Sequence, residues 1–264
     1  ALAIADVAVK ITGTISATTA NLIAAVATET VTATIAAGTA ADLNTALAAA
    51  PEVNAYTITL AAGTAEATDL TDLDAKTSVP VNANAISKIT GTVAEIEAAY
   101  AANTAKTVSG LGNEAVEITG GAVAAADANK VLKLTTGVVT ATITPADAAT
   151  LNTALVDAKA TDALTLVVTA GTAAAADLIA LDGKTSVALN VNAVTTITGA
   201  AADVKKVYAA TGIATQGDEA VTLSGTVSAA DANTITGATT GTVTATVAAG
   251  TAAALNKALV NANG

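Results

Sequence analysis

The chain has 264 residues and a formal charge of −11, with 22 acidic residues against 11 basic ones, every one of them Lys. No basic run offers a footprint to nucleic acid or to an anionic membrane surface. The absence of Cys and His excludes disulfides, thiolate metal sites and imidazole acid–base chemistry. Apolar residues make up 52%, yet only 3 are Tyr and none is Phe, Trp or Met, so the core must be thin, because small side chains fill only a narrow space. No apolar run is long enough to span a bilayer. With Ala1 first and no signal peptide, the expectation is a processed chain or a piece of a longer one.

Taken in order, the segments alternate between two periods. Val31, Ala33 and Ile35 alternate with Thr30, Thr32 and Thr34, which predicts a half-buried strand. The same period of two recurs at 56–60, 164–168, 221–224 and 243–247; at 79–85 and 187–193 the outward positions become Asn82 and Asn84, then Asn190 and Asn192. After each strand comes a helix-start signal: Thr39 with Asp42, Thr92 with Glu95, and Ser228 with Asp231 have the capping-box layout. Thr144-Pro145 with Asp147 adds Pro at the first helical position. Apolar pairs three or four apart follow, such as Leu43/Leu47, Leu70/Leu73, Ile96/Tyr100, Leu151/Leu155, Leu178/Leu181 and Val204/Tyr208. That spacing sets both members on one helical face.

Residues 31–100 return without a gap at 139–208, so Tyr100 returns as Tyr208, and a third, partial copy starts near Asp218. A fixed period means repeat architecture. The fold expected is α/β: a right-handed solenoid of about ten strand–turn–short-helix coils, with one parallel sheet and helices on the opposite side, on a leucine-rich-repeat-like plan. An all-β solenoid is the alternative. The chain 1–264 reads as a single solenoid array, with super-repeats 1–108 and 109–212 and a partial one at 213–264.

Candidate sites are sparse. Asp182-Gly183-Lys184-Thr185 has the tail of a phosphate-binding loop but Leu178 where the upstream Gly belongs, so it reads as a turn. Asn113, Glu114, Asp218 and Glu219 sit in corresponding loops and are the calcium candidates, short of the six to eight oxygens that ion takes. Asp42, Asp147 and Asp231 fall at helix starts, where free N–H groups explain them. The best functional feature is the outward strand face: Thr32, Thr34, Thr57, Thr59, Thr140, Thr142, Thr165, Thr222, Thr244 and Thr246 are expected to form rows on one sheet, though a solvated strand favours Thr in any case.

The strings Ile89-Thr-Gly-Thr-Val-Ala-Glu-Ile-Glu-Ala-Ala-Tyr-Ala101, Gly110-Leu-Gly-Asn-Glu-Ala-Val116 and Val221-Thr-Leu-Ser-Gly-Thr-Val-Ser-Ala-Ala-Asp231 resemble repeats of giant secreted or cell-surface β-strand-repeat proteins of marine cyanobacteria and other bacteria. The resemblance implies an extracellular setting and a role in surface structure, attachment or motility. Some of those proteins carry calcium-binding or adhesin modules, but the Gly-Gly-x-Gly-x-Asp nonapeptide of the calcium-loaded ones is absent here. Residues and resemblance together predict no catalysis and no cofactor. The expected role is a structural segment of a bacterial surface protein: a stiff spacer, an adhesin stalk, or a self-assembling filament or surface-layer unit. Its partners would be copies of itself end to end or neighbouring repeats of a longer chain. An ice- or glycan-binding Thr face is the alternative, and a polysaccharide enzyme ranks below it for want of aromatic rings to stack on sugars.

Overall fold

The computed structural model describes residues 8–48, 53–214 and 216–262. Among these residues the chain is mixed α/β, with several parallel sheets, ten α-helices and no closed barrel. The first coil is β1 (Val9–Ile15) and α1 (Ala17–Ala24), and the second is β2 (Val31–Ile35) and α2 (Ala40–Ala46). The third has β3 (Ala55–Thr57), β4 (Gly63–Glu66) and α3 (Ala67–Ala75); the fourth has β5 (Val81–Asn82), β6 (Ile86–Gly91) and α4 (Val93–Ala105). The order then returns. First-type elements are β7 (Val108–Ser109), β8 (Ala115–Ile118) and α5 (Ala125–Leu132), and second-type ones are β9 (Val139–Thr142) and α6 (Ala148–Ala154). The third type is β10 (Ala163–Thr165), β11 (Gly171–Ala174) and α7 (Ala175–Asp182), and the fourth β12 (Leu189–Asn190), β13 (Val194–Gly199) and α8 (Ala201–Ala209). A last first-type coil, β14 (Ile213–Ala214), β15 (Ala220–Val227) and α9 (Ala229–Thr236), precedes a last second-type coil, β16 (Val243–Val247) and α10 (Ala252–Ala258).

The chain divides into two compact units, Ala1–Gly121 with Lys130–Thr140, and Ala122–Asn129 with Ala141–Gly264. In the first unit β1, β2 and β3 pair in parallel. Bridges Asn54↔Thr77 and Thr59↔Asn82 carry that row to β5, which pairs with β7. A second row runs β4–β6–β8, with the start of β9 beside β8. The second unit repeats the plan: Val167↔Asn190 leads from the β10 segment to β12 and β14, and the second row is β11–β13–β15–β16. In both units the first-type strand (β8, β15) joins the second row while the short strand before it (β7, β14) closes the first. Within each unit the strands therefore step sideways from the first row to the second, and the same arrangement recurs at the 108-residue offset between Tyr100 and Tyr208.

The ten strands expected near residues 9, 32, 58, 81, 116, 141, 166, 189, 222 and 245 are present, but they do not lie in one sheet. Corners inside the third, fourth and first types add six further short strands. Asn82 and Asn190 make the fourth-type corners rather than an outward row: the side-chain carbonyl of each accepts the amide of Asn84 or Asn192 at 3.1 Å, a turn geometry that Asn favours. At Gly110, between β7 and β8, φ is +96° and a Cβ would stand 1.9 Å from Asn84 Oδ1, so only Gly fits there.

The named cap residues hold with one exception, while α3, α7 and α8 start without a side-chain cap. Ser16, Thr39, Ser228 and Thr251 cap α1, α2, α9 and α10 through their hydroxyls, and Thr92 with Glu95 forms a full capping box on α4. Thr144 is not a cap. Ile143 and Ala146 still bridge to Val123 and Val168, so Pro145 lies in extended chain and α6 begins three residues later. Its cap is Asp147, whose carboxylate accepts the Thr150 amide at 2.9 Å.

The core is the stack of inward strand residues against the helix pairs. Val31, Ala33 and Ile35 are buried, and so are Leu43, Leu47, Leu70, Leu73, Ile96, Tyr100, Leu151, Leu155, Leu178 and Leu181. Tyr208 is half-buried, and Val207 beside it fills the interior instead.

Candidate functional site

The ten threonines of the strand face are all exposed. They do not share one sheet. Thr34 stands in register with Thr14 and Thr57 on β1–β2–β3, while Thr32 pairs with Lys10 and Ala55. Thr59 bridges to Asn82. Thr140 lies beside Glu117, and Thr142 is on β9 and Thr165 on β10. Thr222 pairs with Thr198 and Thr244, and Thr246 with Thr226. In-register neighbours on adjacent strands are ~4.8 Å apart, so the hydroxyls and methyls form short rows of two or three. Charge interrupts them: Lys88 on β6 reaches Glu117 on β8 at 2.5 Å, both side chains 40% exposed, a pair that solvent screens to ~0–1 kcal/mol.

Of the loop residues considered for calcium, Asn113 and Asp218 are exposed, while both glutamates have other partners. Glu114 and Glu219 are buried, at 3% and 4% exposure. The Glu114 carboxylate accepts the Tyr100 phenol and the amides of Gly112 and Asn113, at 2.9 Å from Gly112 and 3.1 Å from Asn113. Glu219 accepts the Tyr208 phenol and the Gly217 amide, the latter at 3.0 Å. Burial pushes both phenols well above the ordinary tyrosine range, and the hydrogen bond and charge of the neighbouring carboxylate push the same way. Among the described residues no group of three or more Asp, Glu, His or Cys is placed to hold a metal ion.

Threonine does a second job inside the stack. Thr77, Thr135, Thr185 and Thr239 are buried, at 4–8% exposure. Each donates its hydroxyl to a backbone carbonyl of a neighbouring strand segment: Tyr56 at 2.7 Å, Glu114 at 2.6 Å, Leu164 at 2.7 Å and Glu219 at 2.7 Å. Each also accepts an amide two residues ahead, from Val79, Gly137, Val187 or Gly241. At Gly137 and Gly241 an added Cβ would come within 2.3 Å and 2.2 Å of the same glutamate carbonyls, so the turn must pass there without a side chain. The Lys184-Thr185 pair that resembles a phosphate loop belongs to this set: Thr185 is one hook, and Lys184 Nζ donates to the Leu155 carbonyl at 2.6 Å.

Replacing Thr185 with Val keeps the shape but strands the Leu164 amide, which donates to Thr185 Oγ1 at 3.1 Å. A buried donor without an acceptor costs ~1–3 kcal/mol. Thr185→Val is expected to lower the unfolding free energy from urea titration by that amount and Thr185→Ser to restore most of it; equal stability of all three chains would show that the hook contributes nothing.

On the helix side, Asn44 donates to Asp69 at 2.9 Å, and Asn152 repeats the bond to Asp177 at 3.1 Å. Asp42 and Asp231 sit in first turns and Asp147 caps α6, so all three lie at helix starts as expected. The Asp147 carboxyl is held below its usual range by its bonds from Thr150, and the Asp231 carboxyl chiefly by Lys205, whose ammonium it accepts. No helix among the described residues is long and apolar enough to cross a membrane.

Sequence reasoning missed the buried hooks and the Tyr–Glu ties. Tyr100 and Tyr208 read as apolar members of helix pairs, and the glutamates read as solvated loop residues. One signal was available: Tyr and Glu return together, at 100 and 114 and again at 208 and 219. No family model, no curated protein and no solved structure matches this chain.

Proposed function

We propose that this chain is a stiff structural spacer, a repeat segment of an extracellular bacterial surface protein, built as a right-handed solenoid of about ten coils. The observation that carries the reading is that ties between successive coils are copied along with the sequence. The threonine hook at Thr77 returns at Thr185, the Asn44–Asp69 bond at Asn152–Asp177, and the Tyr100–Glu114 tie at Tyr208–Glu219. A scaffold whose work is to hold a length keeps the same joint at every step, whereas a catalytic site concentrates unlike groups in one place. The resemblance to cyanobacterial β-strand-repeat proteins supports the extracellular setting, and the surplus of carboxylates suits a soluble surface.

The test is to lengthen the chain. Inserting a second copy of residues 101–208 after Tyr208 keeps the coil order. Four added coils at ~4.8 Å each extend a solenoid by ~19 Å, while a globule of the enlarged size grows by only ~14% in radius of gyration. Small-angle scattering with steady elongation per inserted copy is the expected result, and globular growth would overturn the spacer. Antibody labelling of intact producing cells tests the location; labelling only after permeabilisation would place the chain inside.

A second reading rests on the row Thr14–Thr34–Thr57, a regular hydroxyl and methyl surface of the kind that ice or a glycan could contact. Thermal hysteresis in a freezing assay, lost on Thr34→Lys, would favour it over the spacer.

A further inference from the structure

The outer edge of β16 and the flank of α10 form an interface that is complete in one copy of the repeat and open in another. β2 and β16 are the same strand type: Val31, Ala33, Ile35, Leu43 and Leu47 occupy the positions of Val243, Ala245, Val247, Leu255 and Leu259, at a constant offset of 212. In β2 and α2 all five are buried, at 5% exposure or less. In β16 and α10 all five are partly exposed, α10 has no buried residue, and β16 is the terminal strand of its sheet. The third-type coil that follows covers the first set. The third-type coil lays β3 against β2, and its Asn54 takes the Val31 amide on Oδ1 at 2.9 Å. Beside Val243, the counterpart of Val31, a depression of about 430 Å³ is lined by Thr239, Thr242 and Asn261.

We propose that this edge is a docking surface for one kind of occupant, a further third-type coil of the array. That coil carries Asn or Asp at its strand entry, an inward Tyr or Leu two residues on, and a hook threonine after its helix, as Asn54, Tyr56 and Thr77 or Asp162, Leu164 and Thr185 do. The inference rests on the spacer reading and names the partner of its open edge. A second copy of the chain fits poorly. It would offer its first-type coil, yet first-type strands take their places after fourth-type ones, β8 beside β6 and β15 beside β13, so end-to-end copies meet two coils out of phase.

The experiment compares three chains: the chain as it is, one extended after Gly264 by a copy of residues 53–105, and one extended by a copy of residues 9–52. Hydrogen exchange of the Val243–Val247 amides is the readout. The matched extension is expected to slow it about tenfold or more, and the mismatched one to leave it within about twofold. A further variant, Asn→Ala at the position of Asn54 in the appended copy, is expected to release the Val243 amide alone. Equal slowing by both extensions, or by neither, overturns the inference. So does concentration-dependent slowing in the unextended chain, which would make a second copy the occupant. None of these outcomes bears on the elongation per inserted copy, so the spacer reading stands or falls separately.

Discussion

Leu151→Ala or Leu155→Ala is expected to cost about 2–5 kcal/mol, with the loss felt first in the coils on either side. Both side chains are fully buried, and the cost of such a cavity depends on how far its walls collapse. The α6 helix has only seven residues, too short to hold its own hydrogen bonds in water. It forms because Leu151 and Leu155 are covered. Contacts in a stacked array are between neighbours, so exchange of the α6 and α7 amides should quicken while α9 keeps its rate. Uniform loosening of every helix would show that the chain melts as one body and would sink the nearest-neighbour account.

The second large effect belongs to the Tyr100–Glu114 tie. Glu114→Ala removes the acceptor for the buried phenol and for the Gly112 and Asn113 amides. At ~1–3 kcal/mol for each donor left without a partner, a loss of roughly 2–4 kcal/mol is expected, since the loop amides regain some water. The same tie sets a pH dependence. The folded Tyr100 phenol is held above its ordinary value near ~10, while in the unfolded chain it ionises there. Its contribution is intact below pH ~10 and is lost as pH rises beyond, at ~1.4 kcal/mol per pH unit. Tyr208 acts in the same direction, but it is half-buried and solvent screens its share. With no Trp in the chain, tyrosinate absorbance reports this directly. It should appear together with unfolding, and Tyr100→Phe should make the alkaline decline shallower. Titration of all three tyrosines near pH 10 in the folded chain would refute the tie.

The alternation of strand and helix was legible because period and capping are local properties. Alternation at 31–35, the caps at Thr39, Thr92 and Ser228, and the leucine pairs each lie within a few residues, and each appears as read. The sideways step was not legible. It depends on corners at Asn82 and Asn190, where a side chain bonds its own backbone two residues on, and in sequence those Asn residues continue the strand alternation. Thr144 misled for a related reason. Its helix signal was sound locally, but a strand bridge at Ala146 holds the chain extended past it. At the candidate site, exposure of the strand threonines followed from alternation alone. The buried threonines did not, because the residues they hook lie about twenty positions away and Thr carries no mark of which job it does.

The joints between coils are also specific to coil type, and this bears on how such a chain could lengthen. Duplicating a block of 108 residues returns every glutamate to its tyrosine and every hook threonine to its carbonyl. Duplicating a single first- or fourth-type coil does not, because it leaves a buried glutamate without its tyrosine or a tyrosine without its glutamate. Unequal recombination between matching copies would therefore yield foldable products mainly in steps of four coils, and the physical chemistry of two buried hydrogen bonds would act as a filter on the gene's length.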